Sequence, residues 1–189
     1  METILAIITG IGLSAACGLR MFVPLLALNL ADRYGYLHLA AGFDWIGGYY
    51  ATVALVSATI LEILAYFIPW LDNIMDAIAS PASIIAGAIT TAAVITDLPP
   101  SVKWILAIMA GGGVAGVIQG STMAIRAKSS LFTGGMANPL IAAAELAGAT
   151  IISISAIAIP VICFVLVAAI VVFALYKAGR SCLMKKENR

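Results

Sequence analysis

The chain reads as an all-α, polytopic bundle of transmembrane helices, and three observations predict it. Only 10% of its 189 residues are charged and 63% are hydrophobic, whereas a soluble domain carries about 25% charged residues. So few charges cannot cover a water-facing surface, and the mean hydropathy is +1.11. The apolar residues also fall into about six runs near the roughly 20-residue length that crosses a bilayer. Short stretches with most of the charged and turn-forming residues separate them.

The first run extends from Thr3 to Leu30. It follows Glu2 with no basic n-region, so a cleavable leader is not expected. The second run is Tyr49 to Ile68 and the third Ala77 to Ile95. The third contains Ser80, Pro81 and Gly87 and is the candidate for a broken or re-entrant helix. Val102 to Ile125, Pro139 to Ile159 and Val161 to Tyr176 complete the set, with Pro160 forcing a tight turn between the last two.

The longest connection, Ala31 to Gly48, holds Asp32, Arg33, His38 and Asp44 together with Tyr34, Tyr36 and Trp45; Tyr49 follows. Such aromatics favour the membrane–water interface. Asp97, Pro99, Pro100 and Lys103 form a second turn on that side. Arg126, Lys128, Lys177, Arg180, Lys185, Lys186 and Arg189 are expected on the other. With an even number of spans, the positive-inside rule then places both termini in the cytoplasm and the protein in the cytoplasmic membrane.

Small residues suggest an internal repeat. Gly10, Ser14 and Gly18 recur every four residues, with Arg20 two later; Gly112, Gly116, Gly120 and Ala124 repeat the pattern, with Arg126 two later. Each stripe lies on one helix face and lets a neighbour approach closely. Each is followed by a run containing one acid, Glu62 or Glu145. Residues 1–97 and 98–176 are accordingly expected to form two inverted three-helix halves, with 177–189 as a basic cytoplasmic tail. Inverted repeats are typical of transporters whose site lies between the halves.

A carboxylate at membrane depth is expensive unless paired, protonated or wetted, which makes Glu62 the first candidate site residue. Arg20 lies within roughly 5 Å of its level at a rise of 1.5 Å per residue, and Arg126 and Glu145 can pair in the same way. Two readings stand: four ionisable groups facing a polar cavity, or two buried salt bridges fixing helix register. Arg126 can also reach the headgroups. Pro69 follows Glu62, then Asp72 and Asp76 on one helical face with Asn73 between them. They suit a cation or proton site, or an ordinary loop in which Asp72 caps a helix. Asn138-Pro139 is a helix start. The preceding SSLFTGGMAN is either a gate or a plain linker.

Other chemistries find little support. Cys17, Cys163 and Cys182 give no disulfide or metal spacing, and His38 is the sole histidine. Gly111-Gly112-Gly113 has no lysine and is not a phosphate loop. No metal, cofactor, nucleic-acid partner or enzymatic activity is expected.

Taken together, GIGLSAACGLRMFVPLLAL (Gly10 to Leu28), the series Glu62…Ile68-Pro69…Asp72…Asp76 and Arg126…Asn138-Pro139…Glu145 resemble the domain-of-unknown-function 4126 family. These are small, chiefly bacterial multi-pass membrane proteins of uncharacterised activity. The resemblance covers almost the whole chain and implies a short all-helical membrane protein. The family pattern carries over to Gly10, Gly12, Gly18, Pro24, Glu62, Pro69, Asp72, Asp76, Asn138, Pro139 and Glu145. The chain departs from it at Tyr66 and Phe67, where relatives tend to have an Asp-Lys pair, and at Leu146, where an acid is common. If those charges couple ions in relatives, coupling here differs or is absent.

The expected function is movement of a small or amphipathic solute across the membrane, as a transporter or channel-like protein. Arg20 and Glu62 form the central site, Glu145 is its counterpart, and Asp72 and Asp76 lie toward the cytoplasmic mouth. The alternative is a scaffold or assembly subunit docking partners through the Gly/Ser/Ala stripes. A homodimer suits a chain of this size.

Overall fold

The computed structural model describes residues 2–66, 69–134 and 136–187, with the side chains of residues 69–73, 75, 76 and 181–187 outside that description. Its helices are α1 (Glu2–Cys17), α2 (Phe22–Arg33), α3 (Tyr49–Ala65), α4 (Pro69–Val94), α5 (Pro100–Thr133), α6 (Asn138–Ala158) and α7 (Pro160–Glu187). No strand occurs among the described residues. Four helical stretches, within α4 and α5 to α7, are long and apolar enough to cross a membrane, and α1 and α3 are shorter apolar helices. Large apolar side chains point outward from them: Val161, Ile162, Val165, Leu166 and Phe173 on α7, and Val53, Ile60, Leu61 and Leu64 on α3. Water would not tolerate so much exposed apolar surface on a monomer. The chain is an integral membrane protein.

The first apolar run is not one span. It is two helices that enter and leave at the same end of the bundle. Thr3 Oγ1 lies 3.5 Å from Asp97 Oδ2, and the α1 contacts then step down α4 and α5. Thr91 Oγ1 donates to the Gly10 carbonyl at 3.1 Å, Ser14 Oγ donates to the Gly111 carbonyl, and Gly18 lies against Ala115 and Ile118. α2 climbs back beside the descending α3. Met21 N–H reaches Glu62, whereas eight residues later Thr52 Oγ1 donates to Asn29 Oδ1 at 2.9 Å. Past α2, the Ala40 N–H donates to the Ala93 carbonyl at 2.7 Å, again beside the start of α1.

The sequence contains the cause. In a continuous helix the Pro24 ring would clash with the carbonyl of residue 20 and remove a hydrogen bond. Gly18 releases the turn before it, because a Cβ there would sit 2.6 Å from both the Ala115 carbonyl and Ile118 Cβ. The chain therefore stops at Cys17 and restarts at Phe22. From Thr3 to Gly18, fifteen residues at 1.5 Å carry the break about 22 Å below the loop end of the bundle.

Several expectations change as a result. The third segment, the candidate for a break, runs as one helix through Pro81; the break lies in the first. α1 and α5 run in the same direction, so the two stripe-bearing segments are parallel neighbours and not inverted. The pairs α3–α4 and α6–α7 do run in opposite senses. The N-terminus sits at the loop end, and α7 starts there too, since Pro160 and Glu2 line one depression. α7 then runs away for 28 residues to Glu187. The termini thus lie at opposite ends, not on one side, and residues 177–187 continue the last helix instead of forming a separate tail. α5 likewise absorbs the first half of SSLFTGGMAN, ending at Thr133 and capped by Gly134 with φ +61, the left-handed conformation that closes many helices.

The interior is built from small residues. Gly10, Ser14 and Gly18 face inward, and a Cβ on Gly87 would meet Ser14 Oγ and Ala115 Cβ at 2.7 Å. Van der Waals contact at this range is what holds helices together where lipid is as apolar as the core. The wide turn at Ala107–Gly112 in α5 breaks the usual hydrogen-bond ladder and sets the Gly111 carbonyl against Ser14. Loop 34–48 closes its end of the bundle: Ile46 is fully buried, and Asn29 Nδ2 donates to the Ile46 carbonyl. Tyr34, Tyr36, Trp45, Tyr49 and Tyr50 stay exposed at the expected interfacial level.

Candidate functional site

At the break the structure collects the charges that hydropathy made costly. Arg20, Glu62, Arg126 and Glu145 are each between 2% and 6% exposed. They come from the α1–α2 turn, α3, α5 and α6, so four segments must pack correctly for the group to exist.

The pairing differs from the one spacing suggests. Arg20 does not bridge Glu62. Its Nη2 donates to the Ala142 carbonyl at 2.9 Å and lies 3.5 Å from Glu145 Oε2. Glu145 is shared, because Arg126 Nε donates to its Oε1 at 3.0 Å and Arg126 Nη2 meets Oε2. One carboxylate thus holds two guanidinium groups.

Glu62 has a different partner, the N-terminus of α2. The Met21 N–H donates to its Oε1 at 3.1 Å and the Phe22 N–H to its Oε2 at 3.4 Å. Helix N-termini leave backbone N–H groups unsatisfied and carry a partial positive charge. A carboxylate there satisfies two donors and the dipole together. Arg20 adds its electrostatic attraction from one residue upstream, without direct contact.

Tyr66 completes the group. The Arg20 guanidinium stacks 3.7 Å from its ring centroid and that of Arg126 4.3 Å from it. The ring offers both cations a negative face. In the sequence the tyrosine stands one turn after Glu62, a spacing that puts both on one face of α3.

The remaining predicted residues divide clearly. Asn138 and Pro139 start α6, and Asn138 Nδ2 reaches Ser130 Oγ at 3.2 Å. That is seven residues, about 10 Å, from Glu145, and the pair ties the α5–α6 corner. Pro69 opens α4. The side chains of Asp72 and Asp76 lie outside the described residues. In the second stripe a Cβ on Gly112 or Gly116 would meet Ile84 at 3.2–3.3 Å, while one on Gly120, or on Gly113 beside the stripe, would meet nothing within 4 Å. An open apolar groove runs there, lined by Ile84, Ile108, Met109, Gly112, Gly113 and Gly116.

A known family, Domain of unknown function (DUF4126), matches residues 7–180. The chain belongs to this family. No curated protein and no solved structure matches it. The match runs from within α1 into α7, so the break, the shared carboxylate and the capped helix of this DUF4126 protein all fall within the matched residues.

Chemically, the group combines two cations, two carboxylates, a helix N-terminus and an aromatic ring deep in an apolar bundle. Two of its donors stay unmatched: Arg20 Nε and Nη1 are buried with no hydrogen-bond partner among the described residues. Buried guanidinium donors are ordinarily satisfied, so this is a polar centre with unused capacity.

Proposed function

We propose that this DUF4126 protein moves a small or amphipathic solute across the cytoplasmic membrane, with the group around Arg20 and Glu62 as its binding centre. One observation carries the reading: the re-entrant α1–α2 pair brings a helix N-terminus and an under-bonded arginine to membrane depth. Irregular backbone at that depth survives only where protein buries it or water lines it, and half-helix termini near the midplane hold substrates in many transporters. A purely structural ion pair needs neither the break nor the spare donors. The activity is binding and translocation, without covalent chemistry.

Orientation follows from charge. Lys128, Lys177, Arg180 and the basic end of α7 lie at the end opposite Arg33 and Lys103, so the C-terminus faces the cytoplasm and the N-terminus the outside. The test is uptake of a solute panel into proteoliposomes. Glu62→Gln and Arg20→Ala should abolish the active signal while the protein stays folded. Survival of every flux and binding signal in both variants refutes the reading.

The groove along Gly112, Gly113 and Gly116 supports a second reading, a docking face for another helix, best filled by a second copy. Small residues open to lipid allow close helix approach. Gly116→Leu should then lower the oligomeric mass and leave the monomer folded; an unchanged mass rules it out.

A further inference from the structure

We infer that the N-terminus of α2, together with Arg20, is a binding site for a small organic carboxylate, and that Glu62 fills it in this structure as a tethered stand-in. The inference rests on the reading of Arg20 and Glu62 as the solute centre and names the class of solute.

The site is built from backbone. Met21 and Phe22 present two N–H groups, and each takes a different oxygen of one carboxylate. α2 has 12 residues, enough for a substantial dipole, and anions bind readily at such termini. Nothing in this recognition requires that the carboxylate belong to the chain.

The second observation is independent of the helix. Arg20 is 2% exposed, yet its Nε and Nη1 have no hydrogen-bond partner among the described residues. Only Nη2 is engaged, with the Ala142 carbonyl and Glu145. Glu62 satisfies the helix but leaves Arg20 half-used. A free carboxylate, not anchored to α3, can settle against both.

Charge decides how exchange proceeds. Adding an anion to a buried group costs several kcal/mol unless another charge changes with it. If the arriving carboxylate takes the two N–H groups and Glu62 accepts a proton as it leaves, one negative charge replaces another. The group keeps its net charge, and one proton enters with each anion. A neutral Glu62 also loses its attraction to the helix terminus, so release and protonation favour each other. A one-atom anion such as chloride cannot bond both N–H groups in the same way.

The experiment is rescue in trans. Glu62→Ala empties the site, and its thermal midpoint is measured near neutral pH as formate or acetate replaces chloride at constant ionic strength. At tenfold excess over the dissociation constant, the carboxylate should raise the midpoint by about 3–6 °C. Phosphate should do less. The wild type should respond less, because Glu62 competes for the same two N–H groups, and adding Arg20→Gln to the variant should remove the response. Equal midpoints in formate and chloride overturn the proposal.

Should Glu62→Ala not fold, the wild type supplies the test. Formate added in weak buffer should draw about one proton per anion bound, and Glu62→Gln should draw none; no uptake by the wild type overturns the proposal. Flux of some other solute that depends on Glu62, with no formate effect, overturns this inference and leaves the transport reading intact. Formate rescue without flux of any solute in vesicles supports the site and refutes transport.

Discussion

Replacing Glu145 by Gln should destabilise the protein more than replacing Glu62 by Gln, although both remove one buried carboxylate. Glu145 is held by Arg126 at 3.0 Å and lies 3.5 Å from Arg20. Its loss deprives two buried cations of their shared counter-charge. Breaking a buried ion pair from one side costs about 3–5 kcal/mol, most of it the stranded charge. Glu62 instead caps a helix through two backbone N–H groups. A glutamine oxygen still accepts one of those bonds, so the loss is about 1–2 kcal/mol. At about 2–4 °C per kcal/mol for a chain of this length, the two thermal midpoints should differ by about 5–10 °C in the same detergent. A double-mutant cycle adds a sharper measurement. Coupling between Arg20 and Glu145 should exceed that between Arg20 and Glu62, within the usual span of about 0.5–3 kcal/mol for neighbouring groups. If Glu62→Gln is the more damaging, or the larger coupling lies between Arg20 and Glu62, then Arg20 and Glu62 form the principal ion pair and the shared-carboxylate account is wrong.

Tyr66→Leu removes the ring on which two guanidinium groups stack and should cost about 1–4 kcal/mol, from two cation–π contacts; Tyr66→Phe should retain most of that, as thermal unfolding of the pair will show. Gly18→Val forces a Cβ into the Ala115 carbonyl and should cost about 1–3 kcal/mol, whereas Gly113→Ala, with open space around it, should change the midpoint hardly at all. In a cysteine-free background, single cysteines at Glu2 and Tyr36 should react with a membrane-impermeant thiol reagent from the same side of the membrane, and one at Lys177 from the other. Labelling of positions 2 and 36 from opposite sides would show that the first segment crosses.

The fold class was legible because it depends on bulk quantities. Hydropathy marks apolar runs whatever their partners, and Asn138-Pro139 and Pro160 mark helix starts through local chemistry that no tertiary contact can overrule. What failed was the step from run length to crossing. Thr3 to Leu30 is long enough to span, but length does not reveal a reversal. The signal was present in Pro24, which forbids a helical carbonyl at Arg20, with Gly18 before it. Pro69 drew attention beside acids and Pro81 as a break in the third segment, yet Pro81 is absorbed within α4. A proline breaks a helix where neighbours supply partners for the freed groups, and at the α1–α2 turn Glu62 is that partner.

The same distinction explains the site. Sequence spacing brought Arg20 to the level of Glu62 and Arg126 to that of Glu145, which was enough to nominate them. It could not choose among pairings, because any cation and any acid at one depth can meet if the helices rotate suitably. The choice is made by the small residues. Gly10, Ser14 and Gly18 seat α1 against α4 and α5, which delivers Arg20 to the Ala142 carbonyl on α6 and leaves Glu62 facing a helix terminus. Tyr66 was noted in the sequence only as a departure from the resemblance, yet both arginines stack on its ring. In this chain backbone N–H groups serve Glu62 as a cation would and an aromatic face serves the arginines, and neither appears in a count of charges.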